Sequence, residues 1–182
     1  PNGNFQVQHA APSDWSVVQQ RNIAWKLTLP ETGQSTPVVC NDRIFFTTYE
    51  EVPKDSELGN NIVAWCVHVR NGRVLWKRDI PGKYPLRLSG CFGDSTSPPA
   101  VCDGERVVFV NASGRIACFD LQGNPLWSRE ILSVNRTLPF LIDGKFVFTR
   151  QVYPPDPNGV FPHKYAEAPP EMWTQLQALD IQ

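Results

Sequence analysis

The chain has 182 residues, with 18 acidic and 17 basic side chains and a net charge of −1. A charge this close to zero creates no field that would favour nucleic acid or an anionic membrane as a partner. The length allows one well-formed core, and no apolar run reaches the ~20 residues of a membrane-spanning helix. The 17 prolines and 12 glycines favour many short strands joined by turns.

The first part of the chain is predicted to be an N-terminal extension, residues 1–22, followed by a strand over 23–30. The letters LPETG at 29–33 match the signal that sortases cleave, but a working signal precedes an apolar membrane span and a basic tail. Here the sequence continues QSTPVVCNDRIFF, which is neither. We therefore interpret 30–35 as a linker between an outer strand and the next inner strand.

Three segments repeat along the chain, and each carries a tryptophan: IAWKLTLP, VLWKRDIP and PLWSREIL. Trp25, Trp76 and Trp127 are 51 residues apart each time. In the same phase, TPVVCNDRIFF, PPAVCDGERVVFV and LPFLIDGKFVF each read as two apolar runs around a tight turn, which predicts a hairpin. A third set, NNIVAWCVHVRNGRVLW, SGRIACFDLQGNPLW and WTQLQALDIQ, predicts another strand pair. Each unit thus holds four strands, which we name A to D in chain order.

Repeated four-stranded units of this size predict an all-β fold, a β-propeller of four-stranded antiparallel blades. The predicted parts of this partial propeller, residues 23–182, are an outer strand at 23–30, blades at 36–80 and 98–131, and an incomplete blade at 138–182. The predicted strands are 36–40, 43–49, 62–69 and 73–80, then 98–102, 106–111, 115–120 and 125–131, then 138–142, 145–151 and 174–181. A stacked solenoid of sheets is the weaker alternative.

About three blades are fewer than a closed ring requires, since propellers have roughly four to eight blades. We therefore expect the 182 residues to be a piece of a longer product. The remaining blades would come from the same gene product or from a second chain. Ile23–Leu29 is well placed to complete the last blade of such a ring.

The loops predict two unequal faces. The A–B and C–D connections are short, whereas long connections occur at 50–61, 81–97 and 152–173, all of the B–C or D–A kind. These two kinds leave the same face of the disc, which we call the loop face, and loops on a rigid scaffold commonly carry binding residues. The 152–173 loop is either a partner-contacting flap or a stiff insertion. Its candidate partner-binding residues are Tyr153, Phe161, His163, Tyr165 and Trp173.

The five cysteines include no CxxC motif and no adjacent pair, so the spacing of a metal site is absent. Cys40 and Cys102 occupy matching places in the repeat, as do Cys66 and Cys118. Matching places on separate units favour small buried apolar side chains. A disulfide in an oxidising compartment stays open as an alternative, and the sequence does not name the pair.

Residues 66–76, CVHVRNGRVLW, resemble the repeat of the pyrroloquinoline-quinone-type propellers, whose pattern is Ala-x-Asp-x-x-Thr-Gly-x-x-x-Trp. Gly72 and Trp76 match this pattern. Its Ala, Asp and Thr positions hold Cys66, His68 and Asn71. The segments GQSTPVVCNDRIFFTT and STSPPAVCDGERVVFV also resemble quinoprotein-like repeat proteins of secreted bacterial, notably planctomycete, type. The resemblance covers roughly residues 22–182.

The resemblance implies structural roles for the repeated residues. The glycine allows a positive φ in the C–D turn, the aspartate accepts backbone N–H groups there, and the tryptophan docks its ring between neighbouring blades. The second unit matches with one residue fewer in its turn, and Ala178-Leu-Asp180 opens the pattern again. The blade-docking residues implied are Trp25, Trp76, Trp127, Gly72, Gly123, Asp120 and Asp180.

Two functional classes follow from the resemblance. The favoured one is a non-catalytic, secreted or periplasmic propeller that binds a protein or polysaccharide at its loop face, as the outer-membrane assembly propeller lipoproteins do. The alternative is part of a quinone-dependent alcohol or sugar dehydrogenase, which holds pyrroloquinoline quinone over a Ca²⁺ ion and uses a catalytic aspartate, often with adjacent cysteines. None of these features can be placed in this sequence. We therefore expect no catalytic residue, cofactor or metal.

A few other polar residues have two readings each. Asp94 and Glu31 lie in D–A linkers and could reach a ligand, although solvated turn carboxylates are favoured. His68 is interpreted as a substitute turn cap rather than a base. Asn111-Ala-Ser and Asn135-Arg-Thr match the N-glycosylation triplet, which is common by chance.

Overall fold

The computed structural model describes residues 12–53, 58–83, 86–87, 94–131, 139–152 and 173–180. These ranges contain strands and turns and no helix, and hence no helix able to cross a membrane. The strands are β1 (Val38–Cys40), β2 (Arg43–Tyr49), β3 (Leu58–Gly59), β4 (Ile62–His68), β5 (Val74–Ile80), β6 (Leu86–Arg87), β7 (Val101–Cys102), β8 (Arg106–Asn111), β9 (Arg115–Asp120), β10 (Pro125–Glu130), β11 (Phe140–Ile142), β12 (Lys145–Val152) and β13 (Trp173–Asp180).

The long strands form three antiparallel sheets. Blade one has the order β1-β2-β4-β5, blade two the order β7-β8-β9-β10, and the third sheet the order β11-β12-β13. The first strands of the three sheets lie side by side, β7 touching both β1 and β11, as inner strands do around a propeller axis. The prediction of an all-β partial propeller is therefore confirmed.

The predicted B and C strands match the structure within one or two residues, whereas the A strands are shorter than predicted. Blade one starts at Val38, directly after Pro37, and blade two at Val101, after Pro98 and Pro99. Proline has no N–H to give to the ladder, so it delays the start of each inner strand.

The core lies between blades, because both faces of the middle blade are buried. Equivalent positions repeat from sheet to sheet: Phe45 pairs with Cys66, Val108 with Cys118, and Val147 with Ala178. Between blades one and two, the ring centroids of Phe45 and Phe109 lie 6.2 Å apart, edge to face. Burying an aromatic side chain of this kind stabilises the fold by about 1.5–3 kcal/mol.

The outer strand predicted over 23–30 is not formed. Residues 23–29 have no ladder, because no described strand runs alongside them. Their exposure still alternates as in a strand, with Ile23, Trp25, Leu27 and Leu29 half-buried. The segment leads into a contact with blade one, where the Tyr49 N–H donates to the Thr32 carbonyl at 2.9 Å.

The cysteines divide into two kinds, and the favoured prediction that all are apolar fillers is wrong for one pair. Cys40 and Cys102 form a disulfide with their Cα atoms 6.4 Å apart. They end the neighbouring inner strands β1 and β7, which brings them within disulfide reach. Cys66 and Cys118 are free and buried. Burial raises the pKa of the Cys66 thiol to about 12 and that of Cys118 to about 11.

Candidate functional site

Trp76 belongs to blade one but is held by blade two. Its Nε1–H donates to the Leu121 carbonyl at 3.0 Å, and only 8% of the residue is exposed. The ring lies directly over Gly123, where a Cβ atom would come within 2.7 Å of the indole Cδ2. Gly123 also has a φ of +84°, so the turn requires glycine on two counts.

Trp25 repeats this arrangement on blade one. Its Nε1–H donates to the Val69 carbonyl at 2.9 Å, and its ring covers Gly72, which has a φ of +67°. Each of these two tryptophans therefore docks on the C–D turn of the blade that follows it in the chain.

Trp127 is partly buried against the apolar cluster between blade two and the third sheet, which includes Phe146 and Phe148. Its buried Nε1–H has no hydrogen-bond partner among the described residues. Asp180, which the repeat aligns with Asp120, ends β13 and forms an ion pair with Lys145 at 2.6 Å. The residues that would continue its turn, 181–182, lie outside the described ranges.

The two C–D turns are capped by different side chains in equivalent places. Asp120 accepts the N–H of Asn124 at 2.8 Å and its side-chain amide at 2.7 Å. The hydrogen bond from the Asn124 side chain is the main reason that the pKa of Asp120 is lowered. In blade one, Nδ1 of His68 accepts the Arg70 N–H at 3.2 Å. Both side chains thus serve as turn acceptors.

The loop face carries a small structure that the sequence did not reveal. Leu58 and Gly59 of the B–C loop pair with Arg87 and Leu86 of the following D–A loop. The pair β3–β6 is a two-stranded ribbon separate from the blade sheets. It joins two loops that the sequence analysis placed on the same face, and we call it the loop ribbon.

A buried amide lies at the base of the loop ribbon. Asn111 of blade two is fully buried, and its Nδ2 donates to the carbonyls of Asn60 and Ile80, both at 2.8 Å. Burial removes Asn111 from any glycosylation chemistry. In the sequence, only the unused triplet Asn111-Ala-Ser drew attention to this residue.

Asp94 is a buried turn carboxylate, not the solvated one that was favoured. It is 4% exposed, and its Oδ1 accepts the N–H and the hydroxyl of Thr96 at 2.8 and 2.6 Å. The Thr96 hydroxyl accepts the Gln34 N–H at 2.7 Å, so the linkers of blades one and two are tied together here. Glu31, in the other linker, is half-buried.

The flap residues Tyr153, Phe161, His163 and Tyr165 lie outside the described residues, as does Cys91. Trp173 opens β13, where its backbone pairs with that of Val152.

Clusters of metal-binding side chains are the next kind of site to look for in the described ranges. No group of three or more His, Cys, Asp or Glu side chains there is placed to hold a metal ion. The described residues therefore supply no such side-chain cluster.

Comparison with known proteins gives the chain a family. The family model of the outer membrane protein assembly factor BamB, a PQQ-type repeat model, matches residues 58–160, more than half of the chain. The chain belongs to this PQQ-like repeat family. No curated protein matches it.

Three solved structures of PQQ-like proteins resemble the chain. BamB from Moraxella catarrhalis is 14% identical, with a TM-score of 0.49, over 71% of this chain and 38% of that one. Quinohemoprotein alcohol dehydrogenase ADHIIG from Pseudomonas putida HK5 is 20% identical, with a TM-score of 0.46, over 69% and 18%. The quinohemoprotein alcohol dehydrogenase from Comamonas testosteroni is 16% identical, with a TM-score of 0.44, over 65% and 17%. The chain thus spans less than two fifths of each of these proteins.

Proposed function

We propose that this chain is part of a non-catalytic, BamB-type propeller that acts as a binding scaffold and takes a protein partner on its loop face. The observation that carries the proposal is the loop ribbon. Leu58–Gly59 and Leu86–Arg87 come from two different connections, yet they form one ordered element on the loop face.

The opposite face supports this choice because its turns are already engaged. The C–D turns at Val69 and Leu121 receive the indole N–H groups of two tryptophans. The A–B turns of blades one and two are linked by the Cys40–Cys102 disulfide and by a 3.4 Å hydrogen bond from Asn41 to the Gly104 carbonyl. These turns hold blades together, which leaves the loop face for recognition.

The family name supports a protein partner in the cell envelope; a polysaccharide is the second candidate for the same face. We propose a periplasmic or extracellular location, and the Cys40–Cys102 disulfide supports it, since structural disulfides persist in oxidising compartments. We also propose that further blades, from the same gene product or another chain, complete the ring.

The proposal is tested by photo-crosslinking in the envelope of cells that produce the full-length protein. A photo-reactive residue is placed at Arg87 on the loop face, and the matched control is placed at Glu105, an exposed residue of an A–B turn. We expect one defined protein adduct from position 87 and none from position 105. Equal adducts from both positions, or none from position 87, would contradict a loop-face scaffold.

A deletion tests the contribution of the flap to the same surface. Removing residues 154–171 is expected to abolish the adduct while the thermal unfolding midpoint changes little. An adduct that survives this deletion would show that the flap is not part of the binding face.

The dehydrogenase alternative has its own test. The full-length protein is mixed with pyrroloquinoline quinone and Ca²⁺, and the quinone absorbance and the reduction of an artificial dye by alcohols or sugars are recorded. We expect no bound quinone and no dye reduction. Quinone-dependent dye reduction would replace the scaffold proposal with the enzymatic one.

A further inference from the structure

Asn111 ends β8 of blade two, and its fully buried side chain uses both of its donor hydrogens and its acceptor oxygen. Its two Nδ2 hydrogens go to the carbonyls of Asn60 and Ile80, each at 2.8 Å. Its Oδ1 accepts the Ser113 N–H at 2.8 Å. Because a buried amide that loses a partner is left with an unsatisfied polar group, this geometry is strongly determined.

The two carbonyls that Asn111 holds belong to residues at the base of the loop ribbon. Asn60 directly follows β3, and Ile80 is the last residue of β5, where the chain leaves towards β6. One side chain of blade two therefore holds two residues of blade one between which the loop ribbon is attached.

A second layer of hydrogen bonds ties the two legs to each other. Asn60 Nδ2 donates to the Gly82 carbonyl at 3.2 Å, and the Gly82 N–H donates to Asn61 Oδ1 at 3.1 Å. Next in the chain, the Lys83 N–H donates to the Ser113 carbonyl at 2.7 Å. Gly82 leaves no space for a side chain, since a Cβ there would lie 2.5 Å from Cβ of Ser113.

We propose that Asn111 is a positioning residue of the loop face: its amide holds the loop ribbon in the orientation that the partner binds. This inference rests on the proposed function of that face. A ribbon of two residues per strand does not hold its own shape in water, so its order comes from its base. The base lies across the interface of blades one and two, which makes the shape of the binding surface depend on how these blades pack.

The first test measures the ribbon itself by amide hydrogen exchange. Asn111→Asp keeps the size of the side chain but turns two donors into acceptors that face carbonyl oxygens. We expect the amides that form the ladder bonds between residues 58–59 and 86–87 to exchange about tenfold to a hundredfold faster, as the loss of buried hydrogen bonds implies. Asn60→Ala, which removes the link to Gly82 without touching the blade core, is expected to act in the same direction and serves if Asn111→Asp does not fold.

A matched control separates local loosening from general destabilisation. Phe148, 1% exposed, packs between blade two and the third sheet. Phe148→Leu should lower the urea midpoint without a selective change at the ribbon amides. Unchanged ribbon exchange in both asparagine variants, or equal acceleration in Phe148→Leu, would overturn the positioning role.

A rescue experiment connects the ribbon to binding. Leu58 and Arg87 are cross-strand partners, so Leu58→Cys combined with Arg87→Cys can lock the ribbon when oxidised. With the photo-reactive residue moved to Leu86, Asn111→Asp should reduce the partner adduct at least about tenfold, and the locked ribbon should restore it. Failure of the lock to restore the adduct would refute positioning. A ribbon that loosens while the adduct persists would instead refute the loop ribbon as the binding element.

Discussion

Replacing Gly123 with alanine disturbs the docking of Trp76 in two ways. The residue has a φ of +84°, where a side chain costs about 1–2 kcal/mol. The new Cβ would also lie 2.7 Å from Cδ2 and 2.8 Å from Cγ of the indole, and such overpacking costs about 1–3 kcal/mol. The ring cannot retreat freely, because the Phe45 and Phe109 rings lie about 6 Å away. We therefore expect the free energy of unfolding to fall by about 2–5 kcal/mol.

Two other glycines provide the control for the backbone part of this loss. Gly104 and Gly144 have φ values of +100° and +68°, and a Cβ at either position would meet no atom within 4 Å. Their alanine variants should lose only the backbone contribution of about 1–2 kcal/mol. The difference between Gly123→Ala and these variants measures the contact with Trp76.

Urea unfolding, followed by far-ultraviolet circular dichroism and tryptophan fluorescence, gives the three free energies. Gly123→Ala should lower the midpoint most and shift the native fluorescence towards that of a more exposed indole. Equal losses in Gly123→Ala and Gly144→Ala would refute the reasoning, because the indole would then contribute nothing to the junction of the blades.

Four further predictions concern the cysteines and one turn. Burial raises the pKa of Cys66 from 9.0 to about 12 and that of Cys118 to about 11. Both thiols should resist iodoacetamide at pH 8 in the native protein and react once it is unfolded. Reaction in the native state would contradict their burial. The two thiols ionise at a lower pH in the unfolded chain than in the folded one, so their contribution to stability is complete below pH 9 and should decline above it. Replacement of both cysteines by alanine should make this decline, measured by urea titrations, less steep. The Cys40–Cys102 bridge closes a loop of 62 residues, so its reduction should lower the free energy of unfolding by up to about 4 kcal/mol. Urea unfolding with and without dithiothreitol measures this loss. An unchanged midpoint would show that the bridge does not stabilise the fold. Because the pKa of Asp120 is lowered in the folded protein, its carboxylate stabilises the fold above pH 3.8, and this stabilisation is lost as the pH falls further. Acid should therefore weaken the turn under Trp76 in the native protein but not in Asp120→Asn. Tryptophan fluorescence at pH 3 can detect the difference.

The blade architecture was readable from the sequence because its signals are local. The B and C strands are apolar runs bounded by Asx-containing turns, and Arg43–Tyr49 and Arg115–Asp120 lie where the pattern predicts them. The repeat of tryptophans at constant spacing supplied the order of the units. Prolines shorten the inner strands, an effect that is also local, because proline has no N–H to donate to the ladder.

Features that depend on the placement of separate blades were not readable. The Cys40–Cys102 bridge requires two inner strands to end side by side, and matching positions in a repeat state only that the residues are equivalent. The loop ribbon has two residues per strand, too few for any alternation to show. The sequence around Asn111 shows only a glycosylation triplet. Nothing in it indicates a buried amide, because the partners of that amide lie 31 and 51 residues away.

The attachment of Trp76 to the turn at Leu121 has a practical consequence for dissecting this protein. A cut in the connection between blades one and two would separate Trp76 from the turn at Leu121, although that connection is the boundary of the repeat in the sequence. Fragments should instead keep blades one and two together, so that Trp76 stays with the turn on which it docks. Strand β5 thus belongs to blade one by its ladder and to blade two by its tryptophan.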